Sequence, residues 1–358
     1  HKFQIPAFTP VLLNLSFIGF ALFLVPYFDP PITALAWAVF VGGVLQLVFQ
    51  LPWLAKQGFL NLPKLDFKNS VVNRVIKQMT PAVFAASVTQ ISLVINTIFA
   101  SYLQSGSITW MYYADRMTEL PTGVLGVALG TILLPTLSKY AGGRNPREFS
   151  KLLDWGLRLC CLLAAPATLG LAMISFPLIA TMFMNKGFTL NDAVMTKNAL
   201  IACSFCVVGQ IMIKVLAPAF YAQQNIKTPV KVAVFSLIVT QLMNIAFIIP
   251  LKHVGLSLSV GLGACLNASL LLTLLLLKGL YQPDAGWRRF LTKLAIALAV
   301  MCFGLWAAQS FMPMQWTDIR GWQKALQLGW LVLLGITLYF TSLALLGFRP
   351  RDFKRSEV

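Results

Sequence analysis

Ionisable side chains are scarce in this sequence. Only 11% of the 358 residues are charged, 11 residues are acidic, and the two histidines are His1 and His253. No His, Cys and carboxylate side chains have the spacing of a metal site, and no glycine-rich loop of the P-loop type occurs. No polar segment is long enough to form a nucleotide-binding domain. These absences argue against a metalloenzyme and an ATP-driven pump, and we predict no cofactor.

Cysteine is also infrequent, and its placement does not indicate a redox role. The run from Cys203 to Cys206 has the spacing of a redox motif, but it lies in an apolar helix without the strand–helix–strand context of that motif. Small packing residues are therefore the simpler interpretation. All six cysteines lie within apolar stretches: Cys160, Cys161, Cys203, Cys206, Cys265 and Cys302.

Apolar residues dominate the chain. They make up 58% of the sequence, and the mean hydropathy is +0.76. A run of about twenty apolar residues can cross a bilayer, so we predict an all-α integral membrane protein with about ten transmembrane helices. The first stretch is too long for a cleaved signal peptide, and a start at His1 instead of Met indicates a fragment. The predicted spans are about 5–25, 31–54, 81–103, 108–137, 152–183, 198–222, 229–251, 254–278, 290–312 and 323–347.

The net charge of +17 is distributed unevenly between the connections. Of the 28 Lys and Arg residues, 21 lie at the N-terminus, around the connections after even-numbered spans, or in the C-terminal tail. The positive-inside rule then places both ends of the chain in the cytoplasm. Because no basic face is interleaved with exposed aromatic residues, the charge does not indicate a nucleic-acid partner. The intervening connections carry only Lys186, Lys197, Lys252, Arg320 and Lys324.

The second connection has the pattern of an amphipathic helix. Between residues 64 and 79, apolar residues such as Val72 and Ile76 recur at helical spacing against basic residues such as Lys68 and Arg74. Such a helix lies on a membrane surface where basic side chains meet anionic lipids. A solvated linker is the alternative.

Three charged residues interrupt the fourth predicted span: Asp115, Arg116 and Glu119. Each central charge costs roughly 2.5–3.5 kcal/mol or more in a bilayer, so such residues usually serve a function. At about 100° per residue, they share one helix face with Tyr112 and Gly126, which is the pattern of a cavity wall. Arg116 could bind phosphate through its guanidinium, and the acidic pair could hold it or bind a coupling cation or proton. A self-satisfied Asp–Arg–Glu cluster that only locks two helices is the alternative.

Lys214 is a further charge within a span, about eight residues from the end of the sixth one. Its side chain could line the cavity or extend to the membrane surface. Asn96 and Gln210 are weaker candidates, since a polar residue in a span more often bonds to a neighbouring helix.

Two stretches resemble the MurJ (MviN) family: YYADRMTELPTGV at residues 112–124 and APAFYAQQNIKTPV at residues 217–230. The resemblance covers essentially the whole chain. It implies a bacterial flippase that moves lipid II, an undecaprenyl-diphosphate-linked peptidoglycan precursor, across the cytoplasmic membrane. It also implies the two-lobe fold of the multidrug/oligosaccharidyl-lipid/polysaccharide exporters, with fourteen helices, of which the first four would be absent here.

The resemblance assigns the segments of the chain and its site. Residues 1–54 would be the last two helices of the N-terminal lobe, and 55–80 a cytoplasmic amphipathic linker. Residues 81–278 would form the six-helix C-terminal lobe, and 279–358 two extra helices and a basic tail. Arg116 looks like a cavity arginine of the family, with Asp115 and Glu119 as its acidic neighbours and Lys214 as a further cavity candidate.

The function predicted is therefore flipping of lipid II by alternating access, by a transporter and not an enzyme. The partners expected are lipid II, anionic membrane lipids, and a coupling cation or the membrane potential. An ion-coupled multidrug exporter of the same fold is one rival, which would favour a more acidic and aromatic cavity. A polyprenyl-phosphate glycosyltransferase is the other rival, and it would need catalytic carboxylates in a sizeable loop. The acidic residues in the outer loops of this chain are isolated (Asp29, Asp192 and Asp318).

Overall fold

The computed structural model describes residues 4–56, 58, 70–141, 145–184, 187–311, 316 and 321–348. Part of the predicted amphipathic segment, residues 64–69, lies outside the described residues. The chain divides into two compact units, His1–Ile76 and Lys77–Val358.

The first unit is a helical hairpin. Helix α1 (Gln4–Gly19) continues into a π-helical turn (Phe20–Leu24) and a 3-10 turn (Val25–Tyr27), and α2 spans Ile32–Lys56. The two helices approach closely because Gly42 lies against Leu13: a β-carbon at Gly42 would come within 2.6 Å of that side chain. The Ser16 hydroxyl donates to the Ala38 carbonyl at 2.8 Å. Small residues and interhelical hydrogen bonds of this kind hold helices together in lipid, where apolar surface gives no driving force.

Helix α3 runs unbroken from Ser70 to Ser101. The described end of the amphipathic segment is therefore helical, and no helix break separates it from the third predicted span. Its position on the membrane surface stays a prediction.

The described part of the second unit contains seven further helices. The long helices α4, α7 and α8 pack on one another, α5 packs against α4, α7 and α9, and α10 pairs with α9 and contacts α6. Their bounds are α4 (Ser107–Tyr140), α5 (Pro146–Met173), α6 (Ser175–Met182), α7 (Leu190–Ala222), α8 (Lys227–Leu277), α9 (Trp287–Phe311) and α10 (Gly321–Leu345).

A small buried cluster joins α4, α6 and α7, and two larger ones fill the rest of the described part of this unit. One joins α4, α5, α7 and α8 through fully buried residues such as Leu133, Leu153 and Ile211. The other joins α5 to α9 and α10, and there the Tyr339 hydroxyl donates to the Leu162 carbonyl at 2.6 Å. The helix pair α9–α10 is thereby fixed to α5 by a hydrogen bond as well as by packing.

Helix α8 reverses direction near its middle. Lys252 has non-helical backbone angles, φ 52° and ψ −132°, two residues after Pro250. A β-carbon at Gly255 would lie 2.5 Å from the Phe247 carbonyl oxygen, a separation that a straight helix would not allow. The break falls between the seventh and eighth predicted spans, so α8 is a helical hairpin that contains both.

The fifth predicted span, 152–183, is interrupted as well. Ile174 separates α5 from α6 with φ −97° and ψ 14°. Pro177 lies in the first turn of α6, where its missing N–H costs no hydrogen bond. The prediction of one continuous helix there was wrong, because proline favours a new helix start.

Within the described residues, eight helices are long and apolar enough to cross a membrane, α8 being counted once, and α3 adds a shorter apolar stretch, Gln90–Ser101. Many large apolar side chains lie on the outside, such as Phe23, which is 71% exposed. An apolar exterior is what lipid contact requires. The predicted class, an all-α multi-pass membrane protein, is confirmed.

Candidate functional site

Helix α4 carries the charged residues on one side. Tyr112, Asp115, Arg116 and Glu119 follow the spacing i, i+3, i+4 and i+7, which places their side chains on neighbouring parts of one helix surface. Gly106, with φ 99°, starts this helix and lies under the Trp110 ring, where a β-carbon would clash. The helix start is thereby fixed about two turns before Asp115.

The Arg116 guanidinium is held by residues of its own helix. Nε donates to the Tyr112 hydroxyl at 3.1 Å, and Nη1 donates to Glu119 Oε2 at 2.6 Å. The guanidinium also lies 5.1 Å from the centre of the Tyr112 ring. The side chains of Arg116 and Glu119 remain 52% and 61% exposed. Because this ion pair lies within one helix, it does not lock two helices together.

Asp115 has a different partner from the one expected. Its Oδ1 accepts a hydrogen bond from the Cys203 thiol of α7 at 3.1 Å. Thr118 lies beside this pair, with its hydroxyl 4.0 Å from the Cys203 sulfur. The proposed Asp–Arg–Glu cluster is therefore wrong for Asp115, since the ion pair found in the described part of the site joins Arg116 to Glu119. Cys203, interpreted from the sequence as a packing residue, is buried and also forms one of the hydrogen bonds between α4 and α7.

A cavity of about 390 Å³, here called the α4 cavity, lies beside these residues, between α3, α4, α7 and α8, and its lining contains both polar and apolar side chains. Asp115 and Glu119 line it, and Arg116 lies next to it, bonded to the wall residues Tyr112 and Glu119. The remaining polar wall residues are Ser92, Asn96, Thr97, Thr118, Gln210 and Ser257.

Asn96 and Gln210 differ in their roles in this wall. Asn96 accepts a hydrogen bond from the Asn244 amide of α8 at 2.7 Å, which is the interhelical contact that its position predicts. The Gln210 amide donates to the sulfur of Cys206, one turn earlier on α7, and among the described residues no hydrogen bond joins Gln210 to a second helix.

Lys214 lies against α4. Its Nζ donates to the Thr122 carbonyl oxygen at 3.0 Å, and its carbonyl oxygen is near Gly130. The side chain therefore extends along α4 towards Arg116, away from the near end of α7 at Ala222. Gly126 makes this possible, because a β-carbon there would collide with the lysine Cδ. Of the two alternatives for Lys214, the structure favours the lining of an internal space.

That space is a second pocket of about 390 Å³, which shares Ser92, Gln210 and Val260 with the α4 cavity. The structure thus brings Asp115, Arg116 and Glu119 together and puts Lys214 in the adjoining pocket. Thr122 is six residues beyond Arg116, a rise of about 9 Å along the helix. Within the described residues, no three His, Cys, Asp or Glu side chains are close enough to hold a metal ion.

A hydrogen-bond network fixes the ends of α4 and α7 that precede the cavity. The Trp110 indole donates to Asp192 Oδ1 at 2.9 Å, and Asp192 also forms a capping box with Thr189. His253, at the bend of α8, packs against Trp110 with 5.0 Å between ring centres and the ring planes tilted by 58°. Sequence analysis missed this network, although Thr189 followed by Asp192 is a recognisable helix-start signal.

Comparisons with known proteins agree on one family. A family model described as "Lipid II flippase MurJ" matches residues 1–320. The "Lipid II flippase MurJ" of Burkholderia cenocepacia is 48% identical, over 99% of this chain and 69% of that protein. The "Probable lipid II flippase MurJ" of Haemophilus influenzae is 36% identical, over 97% of this chain and 69% of that protein.

A solved structure has the same fold. The structure described as "Lipid II flippase MurJ, inward closed conformation" superposes with a TM-score of 0.78 at 21% identity, over 99% of this chain and 69% of that one. The chain therefore spans about two thirds of the length of these proteins. Three observations agree: the two motifs on α4 and at the end of α7, the all-helical membrane fold, and matches over almost the whole length. The chain belongs to the lipid II flippase MurJ family.

Proposed function

We propose that this chain moves lipid II across the bacterial cytoplasmic membrane by alternating access. The cavity beside α4 takes the diphosphate-linked headgroup, and the polyprenyl tail stays in the lipid. The observation that carries the proposal is the half-exposed Arg116 guanidinium, which is held next to the α4 cavity in an otherwise apolar helix bundle.

Arg116 has the geometry for taking up a phosphate. Two of its nitrogens are bonded to Tyr112 and Glu119, and Nη2 has no partner among the described residues. A phosphate oxygen can bind Nη2 first and then replace the Glu119 carboxylate at Nη1, which would give the bidentate contact that guanidinium favours. Glu119 therefore holds the arginine in place while the cavity is empty.

Asp115 and Lys214 supply the remaining charges. Asp115 lines the cavity with one thiol donor on its carboxylate, so it is our candidate group for a coupling cation or proton. Lys214 adds a positive charge in the adjoining pocket, where it can attract the second phosphate of the substrate. The membrane potential acting on these charges is the other driving force that the chain offers.

The segments keep the roles that the resemblance implies. Residues 1–54 close the N-terminal lobe, and 81–278 form the C-terminal lobe that contains the cavity. Residues 55–80 form a cytoplasmic linker whose basic side chains meet anionic lipids and whose described end continues into α3, and 279–358 contribute α9, α10 and a cytoplasmic tail. Both ends of the chain then lie in the cytoplasm, as the distribution of Lys and Arg indicates.

The rival functions fit less well. The relatives named above are described as lipid II flippases or probable ones, which favours this substrate over drugs. A glycosyltransferase needs free carboxylates outside the spans. The Asp192 carboxylate, one of its three candidates, is occupied by Trp110 and Thr189.

Depletion of the protein in cells tests the function. We expect lipid II to accumulate on the cytoplasmic leaflet and to become inaccessible to a lipid II-cleaving enzyme added outside, while total lipid II does not fall. Re-expression of the protein is the control and should restore accessibility. An unchanged outer pool of lipid II after depletion would contradict the proposal.

A further inference from the structure

A cationic pocket separate from the α4 cavity lies where α9 begins and α10 ends. It has a volume of about 420 Å³, and α5 forms its third side. Its basic residues are Arg158 of α5 and Arg289 and Lys293 of α9. The ends of membrane-spanning helices lie at the level of the lipid headgroups, so this pocket opens at that depth.

Within the part of the chain that the structure describes, the charge of this pocket is not balanced by acidic side chains. Arg158 forms an ion pair with Asp154 at 2.7 Å. No carboxylate among the described residues pairs with Arg289 or Lys293. The Lys293 ammonium instead donates to the Leu346 carbonyl and lies 5.4 Å from the centre of the Phe348 ring. The described residues therefore leave two positive charges without an acidic partner, and these charges could bind an anion.

The wall on the α5 side is fixed in place. Asp154 is 3% exposed, and its carboxylate accepts hydrogen bonds from Arg158, the Tyr281 hydroxyl and the Trp287 indole, all between 2.6 and 2.7 Å. Arg158 also donates to the Ala285 carbonyl at 3.3 Å. These bonds hold the start of α9 against α5, so the pocket exists before any ligand arrives.

The apolar part of the lining fits a lipid better than a free ion. Trp155, Phe290 and Phe348 surround the basic residues. Phe290 and Phe348 pack edge to face at 5.7 Å between ring centres. Aromatic side chains beside cations at headgroup depth can contact glycerol and the first methylene groups while the cations bind phosphate.

We propose that this pocket binds the phosphate headgroup of an anionic glycerophospholipid, with Arg289 and Lys293 as the phosphate ligands and Arg158 as a fixed third cation. The proposal requires only that α9 and α10 cross the membrane, and it is independent of lipid II transport. The same phosphate chemistry could come from free inorganic phosphate, and the experiment separates the two sources.

The test measures the lipid retained by the protein, by native mass spectrometry after release from nanodiscs of equal phosphatidylglycerol and phosphatidylcholine. The unaltered protein should retain phosphatidylglycerol in preference. Each removed cation should weaken this binding about fivefold, so Arg289→Gln should lose about fivefold and the Arg289→Gln/Lys293→Gln double variant about 20-fold. Arg288→Gln is the matched control, because Arg288 is an exposed neighbour on α9 that does not line the pocket. It should change binding by less than about twofold.

Three results would overturn the proposal. Equal losses for Arg288→Gln and Arg289→Gln would mean that the basic surface attracts lipids without a site. Undiminished binding in the double variant would mean that the pocket holds no headgroup. Thermal stabilisation by inorganic phosphate in pure phosphatidylcholine nanodiscs, matching the stabilisation by phosphatidylglycerol, would assign the pocket to a soluble anion. Since Arg289 is exposed, Arg289→Gln still tests the site if the double variant fails to fold.

Discussion

Alanine substitutions at two glycines of α4 distinguish the effect of the Lys214 contact on stability from the effect of helix propensity. A β-carbon at Gly126 would collide with Cδ of Lys214, whereas one at Gly123 would meet no atom within 4 Å. Alanine in place of glycine within a helix stabilises it by about 1 kcal/mol. Gly123→Ala should therefore stabilise the protein by about that amount.

Gly126→Ala gains the same propensity but displaces Lys214. The hydrogen bond from Lys214 Nζ to the Thr122 carbonyl is then lost, and a bond from a charged donor is worth about 1.5–3 kcal/mol. Gly126→Ala should therefore be less stable than Gly123→Ala by that difference. At about 2–4 °C per kcal/mol, the separation in melting temperature is several degrees.

Thermal unfolding of both variants in one detergent measures this separation. Lys214→Ala supplies the control, because it removes both the clash and the hydrogen bond. In that background the two alanine variants should have equal stability, as a double-mutant cycle requires. If Gly126→Ala and Gly123→Ala are equally stabilised with Lys214 present, the assigned contact is wrong.

Three further predictions concern other contacts. Cys203→Ala leaves Asp115 without its described donor and should destabilise the protein by about 1–3 kcal/mol, whereas Cys203→Ser should retain most of the stability. Equal losses of stability in thermal unfolding would contradict the role of Cys203 as hydrogen-bond donor. A cysteine replacing Asn191 should react with an impermeant thiol reagent added outside the cell, whereas one replacing Gln282 should react only after permeabilisation. The reverse pattern would refute the predicted orientation, with both ends of the chain in the cytoplasm. Burial and the hydrogen bond to Asp154 raise the pKa of Tyr281 above its ordinary 10.0. As the pH rises, the unfolded chain therefore loses the Tyr281 proton before the folded chain does. The unaltered protein should be more stable than Tyr281→Phe by a full margin below pH 10, and this margin should shrink above pH 10. A constant margin between about pH 8 and about pH 11 would contradict this prediction.

Local patterns predicted the helices well. Apolar length and the distribution of Lys and Arg indicated a multi-pass helical membrane protein. Pro250, Lys252 and His253 marked the reversal inside α8 because polar residues and proline interrupt an apolar helix. The spacing of Tyr112, Asp115 and Glu119 placed a polar face on α4, and the structure has a cavity beside that face.

The partners of the charged residues could not be predicted in the same way. Cys203 lies 88 residues from Asp115, and nothing near either residue indicates that they meet. The direction of the Lys214 side chain depends on Gly126, a glycine of another helix. Such pairings are set by the packing of whole helices, which the sequence of one helix does not determine.

The most direct test of the central claim, that Arg116 grips the diphosphate of lipid II, is the flipping activity of Arg116 variants that accumulate normally in the membrane. The loss of one or two charge-assisted bonds of about 1.5–3 kcal/mol each should reduce flipping at least tenfold in Arg116→Ala. Arg116→Lys should be partly active at best, because an ammonium keeps the charge but loses the bidentate geometry. A variant in which Arg116, Asp115 and Glu119 are neutralised together and which still flips lipid II at the normal rate would contradict the claim.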